Sequence, residues 1–160
     1  SGWGPRWLPT PAAIPRTSDV VLAGRAAELP WIEDEAEGVR LSISTGKPLL
    51  IDFWSTDCRA CKELDTYTYT DPRVIDLAKQ SFVPVKVDLS TPLGTSTERK
   101  QLVEDLKKKY QVRGLPQVVF IRPDGSVIDK ELTIYGFVPA DEMLERMNAA
   151  RTCAPDATTC

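Results

Sequence analysis

Residues 49–61 read LLIDFWSTDCRAC, and this stretch decides the fold. Its first six residues are apolar except for Asp52, and their length and aromatic content predict a central strand. The polar residues 55–57 offer side chains that can cap a helix beginning at Cys58. Cys61 lies one helical turn further on and faces the same side. The pattern therefore predicts two neighbouring thiols at the start of a helix that follows a strand.

A Cys-x-x-Cys pair has three chemical interpretations. The first is a zinc site, which usually requires four ligands. The chain has no histidine, so only Cys153 and Cys160 could supply the other two ligands, and their spacing is unusual for such a site. A purely structural disulfide is the second interpretation. The third, which the strand–helix context favours, is a redox pair, because the partial positive charge of a helix N-terminus stabilises a thiolate. We predict Cys58 as the nucleophile and Cys61 as the resolving thiol, with no metal and no cofactor beyond the redox-active disulfide.

The composition restricts the class of protein. The chain has 160 residues, 42% of them hydrophobic, which suits one globular domain. Its net charge of −3 argues against nucleic acid or an anionic membrane as a partner. No apolar run approaches the roughly 20 residues of a membrane-spanning helix. Without histidine, the chemistry must depend on Cys, Asp, Glu, Lys or Tyr side chains.

Three parts are predicted along the chain. Residues 1–27 contain four prolines and are expected to form an extended N-terminal arm or linker. Residues 28–151 form the domain, and 152–160 a polar tail with Cys153 and Cys160. A local disulfide is the expected state of these two cysteines, with a second relay dithiol or free thiols as alternatives.

Hydrophobic periodicity predicts alternating helices and strands. Pro84 places the second strand near a sheet edge. Strands separated by helices imply parallel neighbours, and a closing hairpin adds an antiparallel edge. The predicted elements are a helix with the apolar face Ile32, Ala36, Val39 and Ile43, a strand at 49–54, a helix at 58–67, a helix from Pro72, a strand at 82–88, a helix with the face Leu102, Val103, Leu106 and Tyr110, strands at 117–121 and 127–132 around a turn at 123–125, and a helix from Pro139.

Two motifs carry a resemblance to thioredoxin over roughly residues 31–150. Ile51–Trp54 precedes the Cys-x-x-Cys pair, and Gly114–Pro116 precedes a strand. The resemblance implies an α/β thioredoxin fold, a central mixed sheet flanked by helices, here with an N-terminal extension. Within this superfamily the run CRACKELD at 58–65, followed by Tyr67–Thr68 and Asp71–Pro72, most resembles the C-terminal periplasmic domain of the DsbD family of thiol:disulfide interchange proteins.

The resemblance also assigns substrate-binding and acid–base residues. Pro116 would be cis and would expose the Leu115 backbone to an extended substrate segment; the alternative is an ordinary trans proline that opens a strand. Asp52, an acid within an apolar strand, should have a raised pKa and would assist the deprotonation of Cys61. Asp65 would be a second acid near the dithiol, unless it is only a solvated helix residue. Lys86 would pair with the buried acid or point to solvent.

The docking surface around the dithiol is expected to include Trp54, Asp57 and Arg59. Many relatives have Trp directly before the first cysteine, where this chain has Asp57. The change removes an aromatic contact and adds negative charge, for which Arg59 supplies a compensating positive charge.

Together these features predict an enzyme, a protein-disulfide reductase that relays electrons by dithiol–disulfide exchange. The resemblance implies a soluble periplasmic domain of a bacterial inner-membrane protein, monomeric when isolated. It would take electrons from a membrane-embedded dithiol and pass them to a periplasmic thioredoxin-related or immunoglobulin-like domain. The alternatives are a free-standing periplasmic thioredoxin-like reductant, for example in cytochrome maturation, and a non-enzymatic redox-sensitive binding module.

Overall fold

A computed structural model gives the structure of the protein and describes residues 28–155. The predicted arm and Cys160 lie outside the described residues. The described elements are helix α1 (Glu35–Thr45), strand β1 (Leu49–Trp54), helix α2 (Arg59–Glu63), a π-helical segment (Leu64–Thr68), helix α3 (Pro72–Ser81), strand β2 (Val83–Asp88), helix α4 (Thr97–Tyr110), strand β3 (Gln117–Ile121), a 3-10 turn (Lys130–Leu132), strand β4 (Ile134–Tyr135) and helix α5 (Ala140–Cys153).

Short polar side chains start three of the helices. Asp34, Asp71 and Ser96 each accept a hydrogen bond from a backbone N–H in the first turn of α1, α3 and α4, respectively. These bonds satisfy donors that have no partner inside the helix. Pro72 occupies the first position of α3, where its missing N–H costs nothing. The helix start predicted at Asp71–Pro72 is confirmed.

The four strands form one mixed sheet in the order β2-β1-β3-β4. Strand β1 runs parallel to β2 and antiparallel to β3, and β3 runs antiparallel to β4. The predicted mixed sheet flanked by helices is therefore confirmed. Pro84 lies on β2, at the edge of this sheet, as its missing N–H predicts.

The side chains of alternate residues in β1 and β3 pack into two separate cores, one on each face of the sheet. One core contains Leu50 and Phe120 and is covered by α3 and α5. The other contains Ile51 and Val119 and is covered by α1 and α4. Because β1 is buried on both faces, an ionisable residue within it is held away from water. No helix in residues 28–155 is long and apolar enough to cross a membrane.

Helix α1 forms as predicted, and half of its predicted apolar face packs as expected, because Val39 and the preceding Ile32 lie partly buried against the core, whereas Ala36 and Ile43 are exposed. Ile32 precedes the helix and pairs with Val85 on β2, and Ile43 is 63% exposed. The residues that α1 buries are Gly38 and Ser42. Since Gly38 lacks a side chain, the helix approaches the sheet closely there, and the buried face is centred on Gly38 and Ser42 beside Val39, so that Ala36 and Ile43 turn to solvent.

The strand predicted at 127–132 is wrong. The turn forms, with Gly125 at φ 89°, but strand-like pairing ends at a single bridge between Ile121 and Val127. Asp129 then adopts φ 45°, which no strand residue does, and a 3-10 turn follows. The chain returns to the sheet at β4, which has only two residues.

The segment after the first cysteine is helical, as predicted, but not as one regular α-helix. Helix α2 covers only five residues before the backbone widens into the π-helical segment. The Tyr69 N–H donates to the Leu64 carbonyl, five residues back, which closes this wider turn.

Candidate functional site

The two cysteines of the Cys-x-x-Cys pair form a disulfide at the start of α2. Cys58 is the N-cap of the helix, and its Sγ accepts a hydrogen bond from the Cys61 N–H at 3.2 Å. The two Cα atoms are 5.3 Å apart. Cys58 is partly exposed, whereas Cys61 is only 2% exposed. A reagent from solution therefore reaches the sulfur of Cys58 much more easily than that of Cys61.

The loop between β1 and α2 is fixed by its own polar side chains. The Ser55 carbonyl accepts from the Cys58 N–H at 3.3 Å, and the Ser55 hydroxyl donates to Asp57 at 2.7 Å. This hydroxyl is the main cause that lowers the pKa of Asp57. The carboxylate beside Cys58 is therefore ionised at neutral pH. Arg59 forms an ion pair with Glu63 at 3.3 Å, so part of the positive charge that was predicted to compensate Asp57 is paired with Glu63.

Asp52 lies on β1 with its side chain fully buried. Neither carboxylate oxygen has a hydrogen-bond partner among the described residues. Burial raises the pKa of Asp52 to about 7, the Lys86 ammonium opposes this, and Asp65 adds to it. The Tyr69 hydroxyl is close enough to lower the pKa slightly, although the two groups do not meet hydrogen-bond geometry. Asp52 can therefore gain or lose a proton near neutral pH.

Lys86 connects the acids of the site. It lies opposite Asp52 in the register of β1 and β2, yet its Nζ binds Asp65 Oδ1 at 2.5 Å. The same Nζ lies 5.5 Å from the ring centroid of Trp31 and 5.3 Å from that of Trp54. An ammonium between two aromatic rings and a carboxylate is held in place by all three. Asp65 was predicted to lie near the dithiol or in solvent. Its ion pair with Lys86 connects it to the residue that lies opposite the buried Asp52.

Tyr69 is a site residue that the sequence analysis missed. It is buried, its hydroxyl has no hydrogen-bond partner within residues 28–155, and burial, followed by Asp52, raises its pKa well above the usual value. Its ring also packs edge-on against Trp31 at 4.9 Å. Tyr69 lies eight residues after the buried Cys61, on the face that helical periodicity also buries, but the helix predicted at 58–67 ends before it.

Leu115 and Pro116 lie at the same end of the sheet as the dithiol. The register pairs Phe53 with Gln117, so the residues after β1 and those before β3 share one edge. The Leu115–Pro116 peptide bond is cis, as the resemblance implies. The Pro116 carbonyl accepts from the Gly136 N–H at 2.9 Å, which fixes the loop. Leu115 is partly exposed beside it.

The disulfide between Cys153 and Cys160 remains a prediction. Cys153 is buried at the end of α5, and Cys160 lies outside the described residues, so the predicted Cys153–Cys160 disulfide is not described. Helix α5 ends at Cys153 and so continues past the predicted end of the domain at residue 151. Among residues 28–155 no group of three or more His, Cys, Asp or Glu side chains could hold a metal ion.

The fold and the disulfide at a helix start define a class of protein. A model of the thioredoxin-like domain matches residues 37–151. The chain therefore belongs to the thioredoxin-like domain family, whose members use a redox-active disulfide and need no cofactor.

Individual proteins within this class are also similar to the chain. The chain is 31% identical over 112 residues to the thiol:disulfide interchange protein DsbD of Actinobacillus pleuropneumoniae, covering 68% of this chain and 17% of that protein. The oxidised C-terminal domain of Neisseria meningitidis DsbD is 26% identical, with a TM-score of 0.56 over 72% of this chain and 94% of that one. The DsbH oxidoreductase, at 24% identity, shares the fold with a TM-score of 0.65 over 78% of this chain and 85% of its own. The protein is thus a thioredoxin-like oxidoreductase related to DsbD domains, and it spans less than a fifth of the full DsbD relative.

Proposed function

We propose that this protein reduces protein disulfides by dithiol–disulfide exchange through Cys58 and Cys61. The observation that carries the proposal is the asymmetry of the pair, with a partly exposed sulfur at a helix N-cap and a buried one a turn later. The N–H of Cys61 points at the Cys58 sulfur and stabilises negative charge there once the disulfide is reduced.

The proposed reaction has two exchange steps. The Cys58 thiolate attacks one sulfur of the substrate disulfide, a mixed disulfide forms, and the other substrate sulfur leaves as a thiolate that takes up a proton. The Cys61 thiol then loses its proton and attacks the Cys58 sulfur, which releases the second substrate thiol. Two electrons have passed to the substrate, and the protein is left with the Cys58–Cys61 disulfide.

Asp52 is the proposed acceptor of the Cys61 proton. Its pKa of about 7 suits a group that must bind a proton in one step and lose it in the next. Lys86 and Asp65 act on it in opposite directions, because the ammonium lowers the Asp52 pKa and the second carboxylate raises it. We assign Lys86 and Asp65 as positioning residues that keep this pKa near neutrality.

The substrate is proposed to lie along the edge that carries Leu115 and Pro116. The partly exposed Leu115 backbone can pair with an extended segment around the substrate disulfide. Trp54, Asp57 and Arg59 border the dithiol on the other side. The ionised Asp57 beside Cys58 disfavours acidic substrate segments at this position.

The similarity to DsbD supports a place in an electron relay. We propose that the chain is the periplasmic C-terminal domain of a DsbD-like reductase, which takes electrons from a membrane-embedded dithiol and passes them to periplasmic thioredoxin-related or immunoglobulin-like domains. A free-standing periplasmic reductant is the second candidate, and it is favoured by the thioredoxin fold alone. A transmembrane segment encoded directly upstream in the gene would support the first candidate over the second.

The reductase activity is tested with insulin as substrate and dithiothreitol as electron source. Cys58→Ser should abolish the acceleration of insulin reduction. Cys61→Ser should instead retain the attacking thiol and accumulate a mixed disulfide that is visible by mass spectrometry. Cys153→Ser combined with Cys160→Ser serves as the matched control, because it removes the other two cysteines together, and it should keep the parental rate. Full activity of Cys58→Ser would overturn the proposal, and a dithiol that does not exchange with glutathione over hours would favour a binding module instead.

A further inference from the structure

A cavity of about 420 Å³ lies between the helix-covered face of β3 and the loop that follows this strand. None of the dithiol-site residues Cys58, Cys61, Asp52, Asp65 or Lys86 lines it. Its size falls within the range of pockets that hold small organic ligands. The cavity is therefore a candidate site separate from the proposed redox chemistry.

The floor and one wall of the cavity are apolar. Val119 and Ile121 form part of the floor and belong to the core between the sheet and helices α1 and α4. Val127 and Tyr135 line it as well, and they are 41% and 60% exposed. Exposed apolar surface beside a concave floor favours a ligand with an apolar body.

The charged side chains around the cavity are all cationic. Lys109, Arg113, Arg122 and Lys130 line it, and no Asp or Glu does, in a chain whose net charge is −3. Lys109 is paired with Glu35 at 2.6 Å. The guanidinium of Arg122 donates to backbone carbonyls, including that of Val127 at 3.0 Å.

Arg113 and Lys130 are the two exposed cations of the cavity that form no ion pair among the described residues; Arg122 forms none either, but it is buried. The nearby carboxylate of Asp124 accepts a hydrogen bond from the Ser126 hydroxyl at 2.6 Å, and its charge interacts with Arg122, which lowers the Asp124 pKa further. Two free cations above an apolar floor attract an anionic group on a ligand whose body is buried.

We propose that this cavity binds a small amphipathic organic anion, with its apolar body against Val127 and Tyr135 above the buried floor of Val119 and Ile121 and its acidic group between Arg113 and Lys130. An entirely hydrophilic anion such as phosphate would leave the apolar floor uncovered. A neutral apolar ligand would leave both cations without a partner. The class that satisfies both parts is an aromatic or aliphatic carboxylate, sulfonate or phosphate monoester.

The probe for the test is 8-anilinonaphthalene-1-sulfonate, titrated by fluorescence into the full chain. Arg113→Gln combined with Lys130→Gln should weaken binding by about fivefold or more, since two charge contacts are lost. The matched control is Lys100→Gln combined with Lys108→Gln, which removes two exposed α4 charges that do not line the cavity. This control should bind the probe like the parent. Thermal unfolding of both variants confirms that they are folded.

A neutral probe and NMR locate the binding. N-phenyl-1-naphthylamine, which lacks the sulfonate, should bind more weakly and equally to the parent and to the Arg113/Lys130 variant. Backbone amide shifts caused by the sulfonate should centre on Val119, Ile121 and Val127. The proposal is overturned if no binding occurs up to about 1 mM, if the shifts centre elsewhere, or if the double variant binds like the parent. None of these results depends on the reductase activity.

Discussion

Asp52 is an acid on a strand that is buried on both faces, and its state of ionisation is set by this burial. The carboxylate gains no hydrogen bond from the described residues in return for its lost hydration. The protonated form is therefore favoured in the folded protein up to a pH of about 7, whereas the unfolded chain loses the proton near 3.8. Such a residue reduces stability at neutral pH, which is expected of a group kept for chemistry.

Asp52→Asn should increase stability in a pH-dependent way. Between about pH 4 and 7 the folded state binds more protons at Asp52 than the unfolded state does, so the parent loses stability as the pH rises through this window. The variant lacks this loss. Its advantage in the free energy of unfolding should grow by about 2 to 3 kcal/mol between pH 5 and pH 8.

Urea denaturation of the oxidised protein at the two pH values measures this difference. Asp76→Asn, which alters an exposed acid on α3, is the control and should show no such growth. An Asp52→Asn advantage that is equal at pH 5 and pH 8 would contradict the raised pKa.

Lys86 and Asp65 should shift the pKa of Asp52 in opposite directions. Lys86→Met removes the nearby cation and should raise the Asp52 pKa by about 1 or more. Asp65→Asn removes a repelling carboxylate and should lower it. A titration of the Asp52 side-chain carbon by NMR measures both, and shifts of the same sign would contradict the assigned roles.

Residues placed by local spacing could be predicted from the sequence, and the resemblance also placed Leu115 and Pro116, but the partner of Lys86 could not be predicted. Cys58 and Cys61 lie within one helical turn, so spacing alone places their sulfurs together. Asp52 follows from its apolar neighbours. The bond from Lys86 to Asp65 depends on how far α2 and the π-helical segment stand from β2, and no sequence spacing reports that distance. Tyr69 was missed because the predicted helix ended at residue 67.

Helix α1 shows how a single glycine sets the distance between an element and the sheet. A Cβ on Gly38 would overlap Cγ2 of Val85. The predicted apolar stripe ignored this position because glycine carries no hydrophobic signal. Close approach at Gly38 decides which face is buried, and Ile43 is left exposed as a result.

Gly38→Ala should destabilise the protein, although alanine is normally the better helix former by about 1 kcal/mol. The added methyl group forces α1 away from Val85, and we expect a net loss of about 1 to 3 kcal/mol. Glu37→Ala, at an exposed position of the same helix, should change the stability by about 0.5 kcal/mol or less.

Thermal or urea unfolding shows whether the clash with Val85 outweighs the higher helix propensity of alanine in α1. In a Val85→Ala background, Gly38→Ala should cost less than it does in the parent, because the clashing methyl groups of Val85 are absent. A stabilised Gly38→Ala variant would mean that α1 does not approach the sheet this closely.

At the scale of the whole molecule, stability is concentrated in the middle of the sheet. Strand β1 has a neighbour on both sides and a core on both faces, whereas β4 has two residues and a single described neighbour. The architecture could be predicted because helix and strand signals alternate along the chain. The last hairpin could not, because Asp129 enters the positive-φ region where residue type alone does not show it.

Native-state hydrogen exchange should reflect this gradient. The amides of β1 and of the β1-facing side of β3 are expected to exchange only on global unfolding, because they are buried and paired on both sides. Those of β4 and of the 3-10 turn should exchange through local opening, with protection lower by at least about tenfold. Equal protection of Ile51 and Ile134 would contradict a stability gradient across the sheet.

The bridge between Ile32 and Val85 also has a consequence for how the chain behaves in a crowded solution. Ile32 hydrogen-bonds β2 through Pro84 O and Lys86 N, each at 2.9 Å, so part of the outer edge of β2 is already paired. Pro84 has no N–H to offer there, and the other edge, β4, is two residues long. Within the described residues, neither side of the sheet presents a template long enough for another strand to add to, which protects the protein against edge-to-edge aggregation.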